Sequence, residues 1–133
     1  RAFLVAVLIL STLPAAVAQT TTFVRPGGGT PEQCTGRTDA DYPGSGSGQA
    51  CAFAHPFHAM PPGGTPRLAG GDTLIIAPGS HMAGFGAPGA EGCDAVAAWD
   101  CHMPPLPSGP DAAHPTRVLG ADSRCCTAVS TLA

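Results

Sequence analysis

Gly70-Gly71-Asp72-Thr73-Leu74-Ile75-Ile76-Ala77-Pro78-Gly79-Ser80-His81 is the stretch on which the fold turns. Leu74, Ile75 and Ile76 are contiguous apolar residues between two turn signals, so they read as a strand with restricted solvent exposure on both sides. Pro78-Gly79 is the pair favoured at the centre of a type II turn, with Gly79 at positive φ. Asp72 is expected to stabilise the turn that precedes the strand.

Downstream, residues 84–115 are rich in Gly and Pro and carry Cys93, Trp99 and Cys101. A connection of that length is long enough to be functional or to cover something. Thr116-Arg117-Val118-Leu119-Gly120 then reads as another strand ended by glycine. Upstream, Thr21-Thr22-Phe23-Val24-Arg25 is a β-favouring run, and Pro26-Gly27-Gly28-Gly29 predicts a turn after it. Residues 30–50 hold little to bury and read as a surface loop. Phe53, Phe57 and Met60 fall on one face of a short helix, with Pro56 near its first turn. His55 and His58 read as exposed or capping groups.

The N-terminus has a different character. Arg1 precedes the unbroken apolar run Phe3 to Leu10, and Ala16-Val17-Ala18 forms a small-x-small cleavage site ahead of Gln19. This three-part pattern predicts a secretory signal peptide over residues 1–18. The apolar run is shorter than the roughly 20 residues that cross a bilayer, so no stable membrane anchor is expected after cleavage. Residues 19–133 suffice for one small domain. The division expected along the chain is signal peptide 1–18, N-terminal strand, loop and short helix 19–66, strands with an inserted loop 67–121, and an irregular tail 122–133.

Composition narrows the function classes. The chain has 18 Gly and 15 Pro but only five Phe, one Tyr and one Trp, so its core is thin and needs added support. Nine acids stand against six arginines and no lysine. No basic stripe with interleaved aromatics points to nucleic acid, and no cationic amphipathic stretch points to a membrane surface.

Six cysteines, Cys34, Cys51, Cys93, Cys101, Cys125 and Cys126, read in an exported chain as disulfides. Fifteen pairings are open, and proximity favours Cys34–Cys51 and Cys93–Cys101. A zinc site from Cys101-His102 with His55 and His58 is the rival, weak because no CxxC recurs. Asp39 and Asp41 could offer carboxylates to calcium, though paired acids in a turn more often cap it. No metal ligand and no catalytic residue is assigned.

The segment Gly70 to His81 resembles the GDT-apolar-x-apolar-xPGxY opening of secreted right-handed parallel β-helix proteins of the pectate-lyase-like superfamily. Pro115-Thr116-Arg117-Val118-Leu119-Gly120 is similar to the next rung, which often reads PTxIxG. The Phe23-Val24-Arg25-Pro26 strand and the 53–60 segment resemble the N-terminal cap. His81 departs from the pattern, standing where Tyr is common. The resemblance covers roughly half of residues 19–133 and implies an all-β fold, the start of a right-handed parallel β-helix. Its fold-motif residues are Gly71, Asp72, Thr73, Pro78 and Gly79.

A solenoid needs about three coils for a stable core, and only two coil-like strands follow the cap. Residues 122–133 therefore read as a truncation or a frameshift after about Gly120. The resemblance implies a protein that binds or degrades polysaccharide, as a lyase or glycoside hydrolase with catalytic residues on later coils. It leaves the cofactor open and allows calcium in the complete protein. Glycoside hydrolysis needs two carboxylates facing one bond, and near the two rungs the only loop acids are Asp72, Asp94, Asp100 and Asp111. A non-catalytic surface or adhesion protein with a β-helix stalk is the alternative, and a free-standing disulfide-stapled domain is a third reading.

Overall fold

A computed structural model describes residues 18–93 and 101–121. The apolar leader with Ala16, the acids Asp94 and Asp100, Trp99, and the tail with Cys125 and Cys126 lie outside the described residues.

Three short strands carry the architecture: β1 (Thr21–Gly29), β2 (Thr73–Ile76) and β3 (Arg117–Gly120). They form one parallel sheet in chain order, β1-β2-β3. Each long connection returns the chain to the same end of the sheet, because Thr21 pairs with Thr73 and Thr73 with Arg117. The register stacks like on like. Thr22, Leu74 and Val118 form one row facing the core, with Leu74 fully buried. Phe23, Ile75 and Leu119 form the row on the opposite face, where they are half-buried. The strand at 73–76 is thus buried chiefly at Leu74, while Ile75 and Ile76 keep part of their surface.

The strand expected in the cap is hydrogen-bonded to β2 and is the first strand of the sheet. It also continues through Pro26-Gly27-Gly28-Gly29, where a turn was expected. The reason is close backbone approach. The ladder with β2 ends at Val24, so Pro26 lies beyond it and its missing N–H breaks no ladder bond. A Cβ on Gly28 would strike the backbone of Ala52 and Phe53, which run alongside. These neighbours close the outer edge of β1. Phe23 donates to the Gly36 carbonyl at 2.8 Å, Gly29 to Ala52 at 3.0 Å, and the Gly27 carbonyl accepts from Tyr42 at 2.9 Å.

The helix expected over 53–60 is a single turn, α1 (Pro56–Ala59), with Pro at its start. Phe53 stands outside it in bridges to Val24 and Gly29. The three residues read as one apolar face therefore separate. Phe53 and Met60 join the main core with Val24, Leu68 and Leu74, whereas Phe57 packs on Ala87, Ala90 and Cys101 in a second cluster. His55 does cap α1, its side chain accepting from the Phe57 amide, but neither histidine is exposed: His55 is 4% and His58 7% accessible. Burial of the neutral His55 imidazole is tolerable because both its nitrogens have partners, Phe57 N and the Met82 carbonyl.

Two disulfides are formed, Cys34–Cys51 and Cys93–Cys101. The first lies inside the main core, and the second anchors the smaller cluster. They compensate for the scarcity of large apolar side chains. Among the described residues no helix is long and apolar enough to cross a membrane.

Candidate functional site

The motif residues Gly71, Asp72 and Thr73 are structural joints. Asp72 is buried, and both its carboxylate oxygens are engaged by backbone: Oδ1 accepts from Thr20 N at 2.8 Å and Oδ2 from Ala69 N at 2.8 Å. Burial works to raise its pKa, but the hydrogen bonds from Ala69 and Thr20 together outweigh it and hold the group below its ordinary value. A buried carboxylate holding two backbone amides serves as a structural joint. Gly71, at φ 93°, turns its N–H to the Thr116 hydroxyl at 2.8 Å, and that hydroxyl donates to the Pro107 carbonyl at 2.6 Å. Thr73 donates its amide to the Thr20 carbonyl at 2.9 Å.

Pro78 and Gly79 are exposed and differ from the type II turn expected of them. Gly79 has φ 158°, an extended conformation well away from the roughly +80° that turn requires. Glycine is needed there for space, since a Cβ would run into the Pro26 ring.

The other acids named from sequence are committed locally. Arg25 pairs with Asp39 at 3.3 Å and, through Nε, with Asp41 at 2.8 Å, so a guanidinium sits where calcium was entertained. Asp111 accepts from the Ala113 and His114 amides and from His114 Nδ1 at 2.7 Å, and the His114 bond leads in lowering its pKa. Cys101 of the rival zinc set is bonded to Cys93. Ala18 lies exposed in irregular backbone ahead of β1.

Two adjoining clefts beside the first strand share Pro31 and Arg67 in their walls. The smaller, about 170 Å³, is lined by Glu32, His58, Arg67 and Glu91, and so collects both glutamates of the chain. Hydrogen bonds from Thr30 and the Glu32 backbone lead in holding Glu32 below the ordinary carboxylate range, against desolvation and with a lesser contribution from the Arg67 charge. Burial pushes His58 down, with His55 adding to the effect. Its imidazole is therefore neutral at pH 7, able to donate or accept a proton.

The larger cleft, about 520 Å³, is lined by Arg37, Arg67, Thr22, Thr35, Thr65 and Phe53, and by no carboxylate. Its two guanidiniums are held in place by neutral oxygens. Arg37 Nη1 donates to the Thr20 hydroxyl at 2.7 Å and to the Thr22 hydroxyl at 3.1 Å. Arg67 Nε donates to the His58 carbonyl at 2.9 Å, and its amide to the Ala59 carbonyl at 2.8 Å.

Thr22, Phe53 and His58 were read from sequence as strand, core and capping residues, and Glu32, Arg37, Arg67 and Glu91 were not singled out. Those four come from the 30–37 loop, the approach to β2 and the long β2–β3 connection, with no spacing between them. The one available signal was scarcity, since arginine supplies every basic charge on a chain with no lysine. No protein-family model matches the chain, and neither curated proteins nor solved structures give a match.

Proposed function

We propose that this is an exported protein of the parallel β-helix type that engages polysaccharide in the pair of clefts beside the first strand. The observation that carries this reading is the ladder itself. Three parallel strands follow one another in chain order and in register, joined by long excursions, which is how a solenoid coil is laid on its predecessor. The leader pattern and the two disulfides support an oxidising, extracytoplasmic destination. Threonine hydroxyls and guanidiniums in the cleft wall are groups suited to sugar hydroxyls.

The test is to express the whole chain behind its own leader in an oxidising host. Binding of the secreted product to a broad glycan panel is then measured by affinity electrophoresis, with release of reducing ends followed in parallel. Retardation by at least one polysaccharide is expected. No retardation and no release across the panel would sink the proposal.

A surface or adhesion role is the second reading. Met82 and Phe85, 57% and 52% accessible, favour it by presenting apolar side chains on the β2–β3 connection. Loss of adhesion to a cell or matrix surface in a Met82→Ser, Phe85→Ser variant, with glycan binding unchanged, would select it.

A further inference from the structure

We infer that the smaller cleft binds a protonated primary amine carried on a short carbon chain. This holds whether or not the protein takes polysaccharide, so the two readings fail separately.

His58 is the observation that points to a ligand. It is only 7% accessible, yet among the described residues neither ring nitrogen has a hydrogen-bond partner. His55, its neighbour in the same turn, has both of its nitrogens engaged. Among the described residues no fully enclosed side-chain nitrogen lacks a partner, so the His58 nitrogens open into the cleft that this side chain lines. Gly89, in the same wall, keeps Nδ1 uncovered, since a Cβ there would come within 2.9 Å of it. A neutral imidazole carries one bare acceptor nitrogen, which an N–H donor satisfies.

Charge fixes the sign of that donor. Glu32 and Glu91 line this cleft against one guanidinium, Arg67. The Arg67 charge acts on Glu32 and on His58, but its Nε is held by the His58 carbonyl at 2.9 Å. Among the described residues it forms no ion pair with either glutamate. Counted in full, it still leaves one negative charge over. Two carboxylates and an imidazole nitrogen are three acceptors, and a primary ammonium has three N–H donors.

The spread of these groups decides against a single metal ion. Among the described residues no three His, Cys, Asp or Glu side chains come together as a metal-ligand set. A cation of several atoms can reach groups that one ion cannot. The cleft measures about 170 Å³, room for roughly six waters of about 30 Å³ each. An ammonium with a few carbons occupies such a space, its chain against Pro31 and Pro61.

The experiment uses the whole secreted chain at neutral pH and low salt, with calorimetry and NMR of the histidine ring protons. The probes are n-butylammonium, tetramethylammonium, which has no N–H, and 1-butanol, which has no charge. Butylammonium is expected to bind at least about fivefold more tightly than either. Glu32→Gln and Glu91→Gln, both at exposed positions, should each weaken it about threefold, and together about tenfold. Asp39→Asn, the same loss of charge outside the cleft, should leave it unchanged. The His58 ring signal, assigned by its absence in His58→Phe, should move on titration while that of exposed His114 stays. Glucosamine binding above butylammonium assigns an amino sugar as the source, and the reverse assigns a free alkylamine. Butanol or tetramethylammonium binding as tightly as butylammonium overturns the proposal. So does an unchanged affinity in the double glutamate variant, a still His58 signal, or no binding of butylammonium at all.

Discussion

Thr20 and Asp72 are joined twice: the Thr20 amide donates to Asp72 Oδ1 at 2.8 Å, and the Thr20 carbonyl accepts from the next amide, Thr73 N, at 2.9 Å. The same Asp72 offers its carbonyl to Arg117 N at 2.9 Å. One residue therefore fixes the starts of all three strands. Replacing it with Asn leaves an amide group facing a buried backbone N–H. Asp72→Asn is expected to lower unfolding free energy by about 1–3 kcal/mol, the cost of an unsatisfied buried donor. Urea denaturation checks this, and an unchanged midpoint would remove Asp72 from the joint. Because its folded pKa is depressed, the contribution is present above the ordinary value of 3.8 and is lost as pH falls below it toward the folded pKa.

His55 gives a second pH dependence at higher pH. Its Nδ1 accepts from Phe57 N at 3.1 Å, so Nε2 carries the proton toward the Met82 carbonyl, 2.8 Å away. Protonating Nδ1 abolishes the cap. Burial lowers the pKa of this histidine, the Met82 carbonyl opposes that, and His81, 5.8 Å away ring to ring, adds to the lowering. Stability is therefore full above 6.5 and declines as pH falls through the folded value. His55→Asn keeps an acceptor at the cap without titrating. Denaturation midpoints between pH 8 and 5 should fall more steeply for the native chain than for this variant, which retains only the part due to the depressed His58. Equal slopes would remove His55 as the source.

Reducing Cys34–Cys51 should be the more damaging of the two reductions. Its sulfurs lie in the main core, and it closes a segment with a sequence separation of 17. Loss of that constraint costs about 3 kcal/mol by chain entropy. Hydrogen exchange at Phe23 and Gly29, whose amides bond to Gly36 and Ala52 within or beside the loop, should accelerate in Cys34→Ser, Cys51→Ser. The Cys93→Ser, Cys101→Ser pair should leave these amides protected. The reverse pattern would place the structural burden on the second bridge.

Gly36 adopts φ 71°, and a Cβ there would come within 2.5 Å of the Phe53 ring. Gly36→Ala combines an unfavourable left-handed backbone, about 1–2 kcal/mol, with displacement of a core aromatic. A drop in thermal midpoint exceeding that of Gly44→Ala is expected, since Gly44 is also left-handed, at φ 88°, but has open space around it. Equal drops would show that the ring yields freely.

The strands at 73–76 and 117–120 were legible in the sequence because each is a short apolar run stopped by Gly or Pro. Proximity favoured the two disulfide pairings that the structure forms. Beyond these, local rules gave way to contacts distant in sequence. Pro26-Gly27-Gly28-Gly29 carries every sign of a turn, yet the backbone of residues 52 and 53 holds it extended. The 3.6-residue period of Phe53, Phe57 and Met60 was real, but two cores claim the three side chains. The clefts were invisible because Arg37, Arg67, Glu32 and Glu91 meet only through the fold.

The order β1-β2-β3 also has a meaning in time. A chain delivered N-terminus first presents each strand to a template already in place, and never has to wait for a partner still to come. The partners that cover the outer edge of β1, residues 36 and 52, also precede β2 in the chain. Assembly of this sheet can thus follow the order of synthesis, one strand added per excursion, and among the described residues no strand is inserted between two others.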